Sequence, residues 1–145
     1  MAPRFNASHL NQITSTIIAR AIDIHRELGP GLLENAYLSC LSYELHRAGL
    51  RFDLQKAVPL LYHGVTIDCA YRADLIVESF VIVEVKALES LAPIHNRQLF
   101  TYLKLANCPV GLILNFGAQT MKAGITRVIN GFPQAGEGPF DGRPA

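Results

Sequence analysis

The amino-acid sequence predicts an α/β fold, a sandwich of helices around a mixed β-sheet. Three features of the pattern point to it. Two amphipathic helical stretches come before any strand. A hydrophobic hairpin, "YRADLIVESFVIVEVKAL", then runs from Tyr71 to Leu88. A third helical stretch stands between that hairpin and a buried strand, "CPVGLILNF". The full order reads α-α-β-β-β-α-β-β.

Each element has its own signal. Ser8 is placed to cap a helix through Leu28, with Leu10, Ile13, Ile17, Ala21, Ile24 and Leu28 as one apolar stripe. Gly29 and Pro30 end it. Gly31 opens a second helix that continues to about Ala48 and stops at Gly49. Phe52 to Tyr62 reads as extended, His63-Gly64 as a turn, and a strand follows from Val65 into the hairpin. A third helix is expected from about Ile94 to Ala106, with Leu99, Tyr102, Leu103 and Ala106 facing inward. After "CPVGLILNF" comes a short extended piece, "TRVIN". The domain is expected over residues 1–130, with the Gly- and Pro-rich residues 131–145 as a loose tail.

Composition narrows the function classes. Half of the 145 residues are hydrophobic and 17% are charged, which is a globular balance. A net charge of +1 supplies no global basic field for nucleic acid. Cys40, Cys69 and Cys108 are widely spaced with no CxxC pair, which indicates neither zinc nor a disulfide framework. They read as small buried hydrophobes in a reducing cytoplasm. No run approaches about 18 apolar residues, so no membrane span is expected. His25, His46 and His63 lack ligand spacing and are expected at the surface.

The hairpin carries the chemistry. With Glu78, Ser79 and Phe80 as its loop, Val77 pairs with Val81 and Asp74 falls opposite Glu84. That register leaves Ala73, Leu75, Val77, Val81, Val83, Val85 and Ala87 as one apolar face. Arg72, Asp74, Ile76, Ile82, Glu84 and Lys86 form the other. Two neighbouring carboxylates repel each other unless a cation lies between them. Lys86 would serve in a purely stabilising Asp–Glu–Lys network. A divalent ion, most naturally Mg²⁺, would serve in a functional site. The residues alone weigh these two readings evenly.

The pattern Asp74, then Glu84-Val85-Lys86 across a short hairpin, resembles the D…(D/E)xK signature of the PD-(D/E)xK nuclease superfamily. "GLLENAY", Gly31 to Tyr37, matches the motif that names the GxxExxY family, a branch of that superfamily. "IHRELGPGLLENAY", "YRADLIV", "HNRQLFTYLKL" and "GLILNFG" also look like that family, over roughly Ile13 to Asn130. One departure is Ala73, where the superfamily often has proline. The resemblance implies a restriction-endonuclease-like α-β-β-β-α-β core, with a mixed central sheet flanked by helices and an extra N-terminal helix. It makes Asp74 and Glu84 metal-binding acids and Lys86 the catalytic lysine. It also brings Glu34 to the metal from the second helix, directly or through water, with Tyr37 beside it as a packing aromatic. Gln98 and Tyr102 resemble a helix motif that contacts nucleic-acid backbone, and His95 and Arg97 would meet phosphate.

The expected function is therefore a nuclease using Mg²⁺, or Mn²⁺ in its place, on DNA or RNA. Asp74, Glu84 and Glu34 would hold the ion, and Lys86 would position the attacking water. Two rivals stand beside it. One is a catalytically weak or inactive nuclease-fold module that binds nucleic acid or a protein. The other is a structural subunit, since the apolar content leaves room for a homodimer.

Overall fold

Asn6, rather than Ser8, caps the first helix of the computed structural model, which describes residues 6–131. Its Oδ1 accepts the His9 N–H at 2.7 Å. Asparagine caps as well as serine does, and the earlier start adds hydrogen-bonded backbone. Helix α1 (Ala7–Leu28) buries Leu10, Ile13, Ile17, Ala21 and Ile24, while Leu28, expected in the same stripe, remains exposed. His25 corrects another expectation, because it is buried rather than at the surface. Its Nε2 lies 2.8 Å from the Ala118 carbonyl, so Nε2 carries the proton.

Helix α2 (Glu34–Arg47) starts three residues later than Gly31. Gly29 (φ +68°) and Gly31 (φ +122°) hold the connection in backbone regions closed to a helix. Tyr37 fastens this turn from inside the helix. Its hydroxyl donates to the Gly29 carbonyl at 2.5 Å and accepts the Leu32 N–H at 3.1 Å. Its ring stacks on Phe116 at 4.5 Å, so the packing role expected of Tyr37 is the one it plays.

The strands are β1 (Phe52–Ala57), β2 (Leu60–Tyr62), β3 (Val65–Ile67), β4 (Arg72–Val77), β5 (Val81–Lys86), β6 (Val110–Asn115) and β7 (Ile125–Ile129), with helix α3 (Pro93–Ala106) between β5 and β6. Two extended runs that read as continuous are broken. Pro59 has no N–H to give, and Val58 turns its own N–H to the Tyr71 carbonyl at 3.1 Å. Downstream, Asp68 Oδ1 accepts the Ala70 N–H at 2.8 Å, and Ala70 sits at φ +62°, which stops β3 before Arg72. As a result β2 and β3 pair only with each other, around the His63-Gly64 turn.

The main sheet has five strands in the order β1-β4-β5-β6-β7. Only β5–β6 is parallel, as the α3 crossover requires. One face packs Leu75, Val77, Val81, Val83, Val85, Leu112 and Leu114 against α1 and α2. The other packs Ile76, Ile82 and Ile113 against Leu99 and Leu103 of α3. Ala73, expected on the first face, packs with Val58 on the second, where β4 leaves β5. Gly111 permits the close approach of α3, because a Cβ there would stand 2.8 Å from Leu99. The tail residues 132–145 lie outside the described residues.

The turn fastened by Tyr37 yields a first prediction. Tyr37→Phe keeps the ring stack but strips both Gly29 and Leu32 of their partner, at a cost of about 1–3 kcal/mol. Urea melts should show that loss with unchanged helix content. An unaltered midpoint would mean that the hydroxyl does not hold the turn.

Candidate active site

The hairpin reverses through Glu78, Ser79 and Phe80, with Val77↔Val81, Ile76↔Ile82 and Leu75↔Val83 in register. That register sets Asp74 across from Glu84 on the α3 side of the sheet, as the apolar pattern predicts. The ladder then stops. Beyond Leu75↔Val83, the Val85 N–H donates not to backbone but to Asp74 Oδ2, at 2.8 Å. On the other side of β4, pairing with β1 also skips one position. Leu54↔Leu75 and Lys56↔Ala73 are paired, but Gln55 between them sits at φ +54°. A glutamine in this left-handed region costs about 1 kcal/mol or more. Its Nε2 lies 3.4 Å from Asp74 Oδ1.

Glu84 is only 9% exposed. Its Oε1 accepts a short hydrogen bond from the Tyr71 hydroxyl. The Tyr71 ring stacks flat on Tyr102 of α3, with centroids 3.4 Å apart and planes 2° from parallel. Burial, followed by the neighbouring Asp74, pushes the Glu84 carboxyl up to about 7. The Tyr71 hydrogen bond and the charge of Lys86 oppose that rise. Burial and then Glu84 raise the Tyr71 hydroxyl too, so it stays a donor.

Lys86 lies two residues past Glu84 on the same strand face, half-buried. Its backbone is fixed by β6. The Phe116 N–H donates to the Lys86 carbonyl at 2.8 Å, and Asn115 grips Leu88 through two bonds of 2.9 and 3.0 Å. Among the described residues, however, the Lys86 ammonium joins no ion pair. Lys86 therefore acts on Glu84 through its charge and not through a direct ion pair.

The remaining sequence-derived residues distribute as follows. Glu34 is exposed at the first position of α2, lining a shallow hollow with Leu33 and Ala87, the residue after Lys86. Among the described residues no group of three His, Cys, Asp or Glu side chains is placed to hold a metal, so Glu34 stands apart from the pair. Tyr102 faces Tyr71 rather than solvent alone. Arg97 and Gln98 are exposed on α3. His95 Nδ1 accepts the Ala92 N–H at 3.0 Å and so closes the start of α3. Sequence reasoning missed Tyr71 and Gln55. The first sat in plain view three residues before Asp74, whereas nothing in the sequence marks the second.

The arrangement offers hard oxygen donors. Asp74 Oδ2 and Glu84 Oε1 are each tied by a chain donor, and the Asp74 backbone N–H also acts on the Glu84 carboxyl. Against known proteins, a family model described as the PD-(D/E)XK nuclease superfamily matches residues 11–128. No curated protein and no solved structure matches the chain.

The buried carboxyl sets a pH dependence. Below about 4.5 Glu84 is protonated in both folded and unfolded chains, and up to about 7 only the folded chain keeps the proton. The unfolded state then binds fewer protons, so metal-free stability falls across that window, by up to about 3 kcal/mol. Glu84→Gln still accepts from Tyr71 and should lack this fall. Urea melts of the two proteins should coincide at the acid end and separate towards pH 7. Parallel curves would mean that Glu84 ionises freely.

Proposed function

The chain belongs to the PD-(D/E)XK nuclease superfamily, and on that premise we propose that it is a divalent-metal-dependent nuclease hydrolysing phosphodiester bonds of DNA or RNA. Its fold is restriction-endonuclease-like, a five-stranded mixed sheet flanked by helices with an added N-terminal helix. Within the superfamily we assign it to the GxxExxY branch, on "GLLENAY" and the flanking motifs.

One observation carries the reading. Asp74 and Glu84 are held side by side, one of them buried, with no protein cation in ion-pair contact with either among the described residues. The donor set suits a hard cation, since the second oxygen of Asp74 meets only the long Gln55 contact of 3.4 Å among the described residues, and Glu84 lies beside it as a further carboxylate. We assign Asp74 and Glu84 as the ligands of Mg²⁺, with Mn²⁺ as a substitute, and Glu34 as a contributor through water from α2. A divalent ion there supplies Lewis-acid polarisation of the scissile phosphate. Lys86, in no ion pair among the described residues and on the same strand face, orients the attacking water and offsets charge on the phosphoryl oxygens. Arg97 and Gln98, exposed on α3, meet the nucleic-acid backbone. The three cysteines are free, which fits a reducing cytoplasm. No described helix is long and apolar enough to cross a membrane. Exposed Leu61, Tyr62 and Val65 on the β2–β3 hairpin support a homodimer.

A second reading rests on the same geometry. Among the described residues only two acids converge, and a site so sparse in ligands suits a nuclease-fold module that binds nucleic acid and turns it over weakly or not at all. Labelled single- and double-stranded DNA and RNA, incubated with Mg²⁺, Mn²⁺ or EDTA, separate the two. Cleavage that EDTA abolishes supports the nuclease, and metal-dependent retention without cleavage supports the module.

Two variants refine this test. Mg²⁺ or Mn²⁺ should raise the melting temperature by binding the folded state, and Asp74→Asn should remove that gain. Equal shifts in both proteins would place the ion elsewhere. Lys86→Ala breaks no ion pair among the described residues, so it should stay folded and bind nucleic acid, yet cleave about a hundredfold more slowly. Undiminished cleavage would take Lys86 out of the chemistry.

A further inference from the structure

Tyr71 is the residue of the site that the D…ExK pattern does not contain. It lies just before β4, its hydroxyl donates to Glu84 Oε1, and its ring lies flat on Tyr102. We propose that Tyr71 is the positioning residue of Glu84, and that Tyr102 acts by holding the Tyr71 ring rather than by contacting nucleic acid. This inference rests on the reading of Asp74 and Glu84 as metal ligands.

The geometry gives each acid a matching constraint. Asp74 has one oxygen tied by the Val85 N–H, and Glu84 has one oxygen tied by the Tyr71 hydroxyl. A carboxylate tied at one oxygen has a fixed plane, so its second oxygen is presented in one direction. With both acids tied at one oxygen by these donors, Asp74 Oδ1 and Glu84 Oε2 are the oxygens left to face a cation; among the described residues Gln55 reaches the first at 3.4 Å, and the Asp74 backbone N–H also bears on the Glu84 carboxyl. The tether must itself be rigid to fix anything. Tyr71 is half-buried, and its parallel stack on Tyr102 removes the ring's freedom to swing. Tyr102 is in turn anchored between buried Leu99 and Leu103 on α3. The order of support runs from α3 through two rings to one oxygen. Loss of such a hydrogen bond to a ligand typically weakens metal affinity about tenfold to a hundredfold.

The test uses the full chain and Mn²⁺ alone, with free Mn²⁺ read by electron paramagnetic resonance and tyrosine absorbance followed in the same titration. Tyr71→Phe keeps the stack and removes only the hydroxyl. It should bind Mn²⁺ about tenfold or more weakly and lose the tyrosine difference spectrum that wild type gives on binding. Tyr102→Phe should bind as wild type does, and Tyr102→Ala should resemble Tyr71→Phe. Wild-type affinity in Tyr71→Phe, or in Tyr102→Ala, overturns the proposal. If Tyr71→Phe does not fold, the two Tyr102 variants decide: equal affinity in both overturns it, and weakening confined to the alanine upholds it. Wild type that binds no Mn²⁺ sinks the metal-site reading and this inference with it, whereas binding that Tyr71→Phe leaves intact sinks this inference alone.

Discussion

Asp74 takes a backbone donor, the Val85 N–H, that a continuous β-hairpin would spend on its own ladder. That single substitution of side chain for main chain organises the end of the sheet. It parts β4 from β5 without leaving a buried N–H unpaired, which would cost about 1–3 kcal/mol. It also pins a carboxylate beside Glu84, where two negative charges repel each other. Burial, and after it the neighbouring Asp74, pushes the Glu84 carboxyl up to about 7.

The rest of the fold holds this opening steady. The β5 strand is central and flanked on both sides, antiparallel to β4 and parallel to β6. Its end is gripped a second time beyond the sheet, by Phe116 on Lys86 and by Asn115 on Leu88. Helices α1 and α2 bury the apolar face behind the acids, while α3 lies over the face that carries them. Gln55 accepts a left-handed backbone conformation directly across from Asp74, so β1 yields at the same point as β5. Strain placed at one residue of an otherwise regular strand fits a site that needs room on both sides of Asp74.

The sequence made the sheet legible because period-two burial leaves little choice of register. Shifting the hairpin by one residue would have turned Val81, Val83 and Val85 away from α1 and α2. Asp74 opposite Glu84 follows from that constraint alone. The breaks at Pro59 and at Asp68–Ala70 were not legible in hydrophobicity, since they arise from a missing N–H and a side-chain turn. The later start of α2 has the same character, set by two glycines and a tyrosine hydroxyl. Within the site, the Tyr71–Tyr102 stack joins residues far apart in the chain, and no spacing rule on either element reveals it. The failure of Lys86 to pair was equally hidden, because a strand pattern fixes which face a side chain takes but not where a long one ends.

The disposition of the basic side chains bears on what the acids are for. Arg72, two residues from Asp74, is 4.0 Å from Asp68, and Lys56 on the neighbouring strand is 3.3 Å from Asp53. Each of these exposed contacts contributes little to stability. Either cation, turned inward, would instead have neutralised a partly buried pair whose repulsion is expensive. Lys86, whose charge does act on Glu84, still forms no ion pair among the described residues. A fold selected only for stability would close such a gap, or replace the acids by apolar residues of similar volume, which is commonly neutral or favourable. The divalent ion proposed for the site would offset the repulsion that these side chains leave. That cation would then also convert a surface that repels phosphate into one that attracts it, in a protein whose net charge of +1 offers no other general attraction.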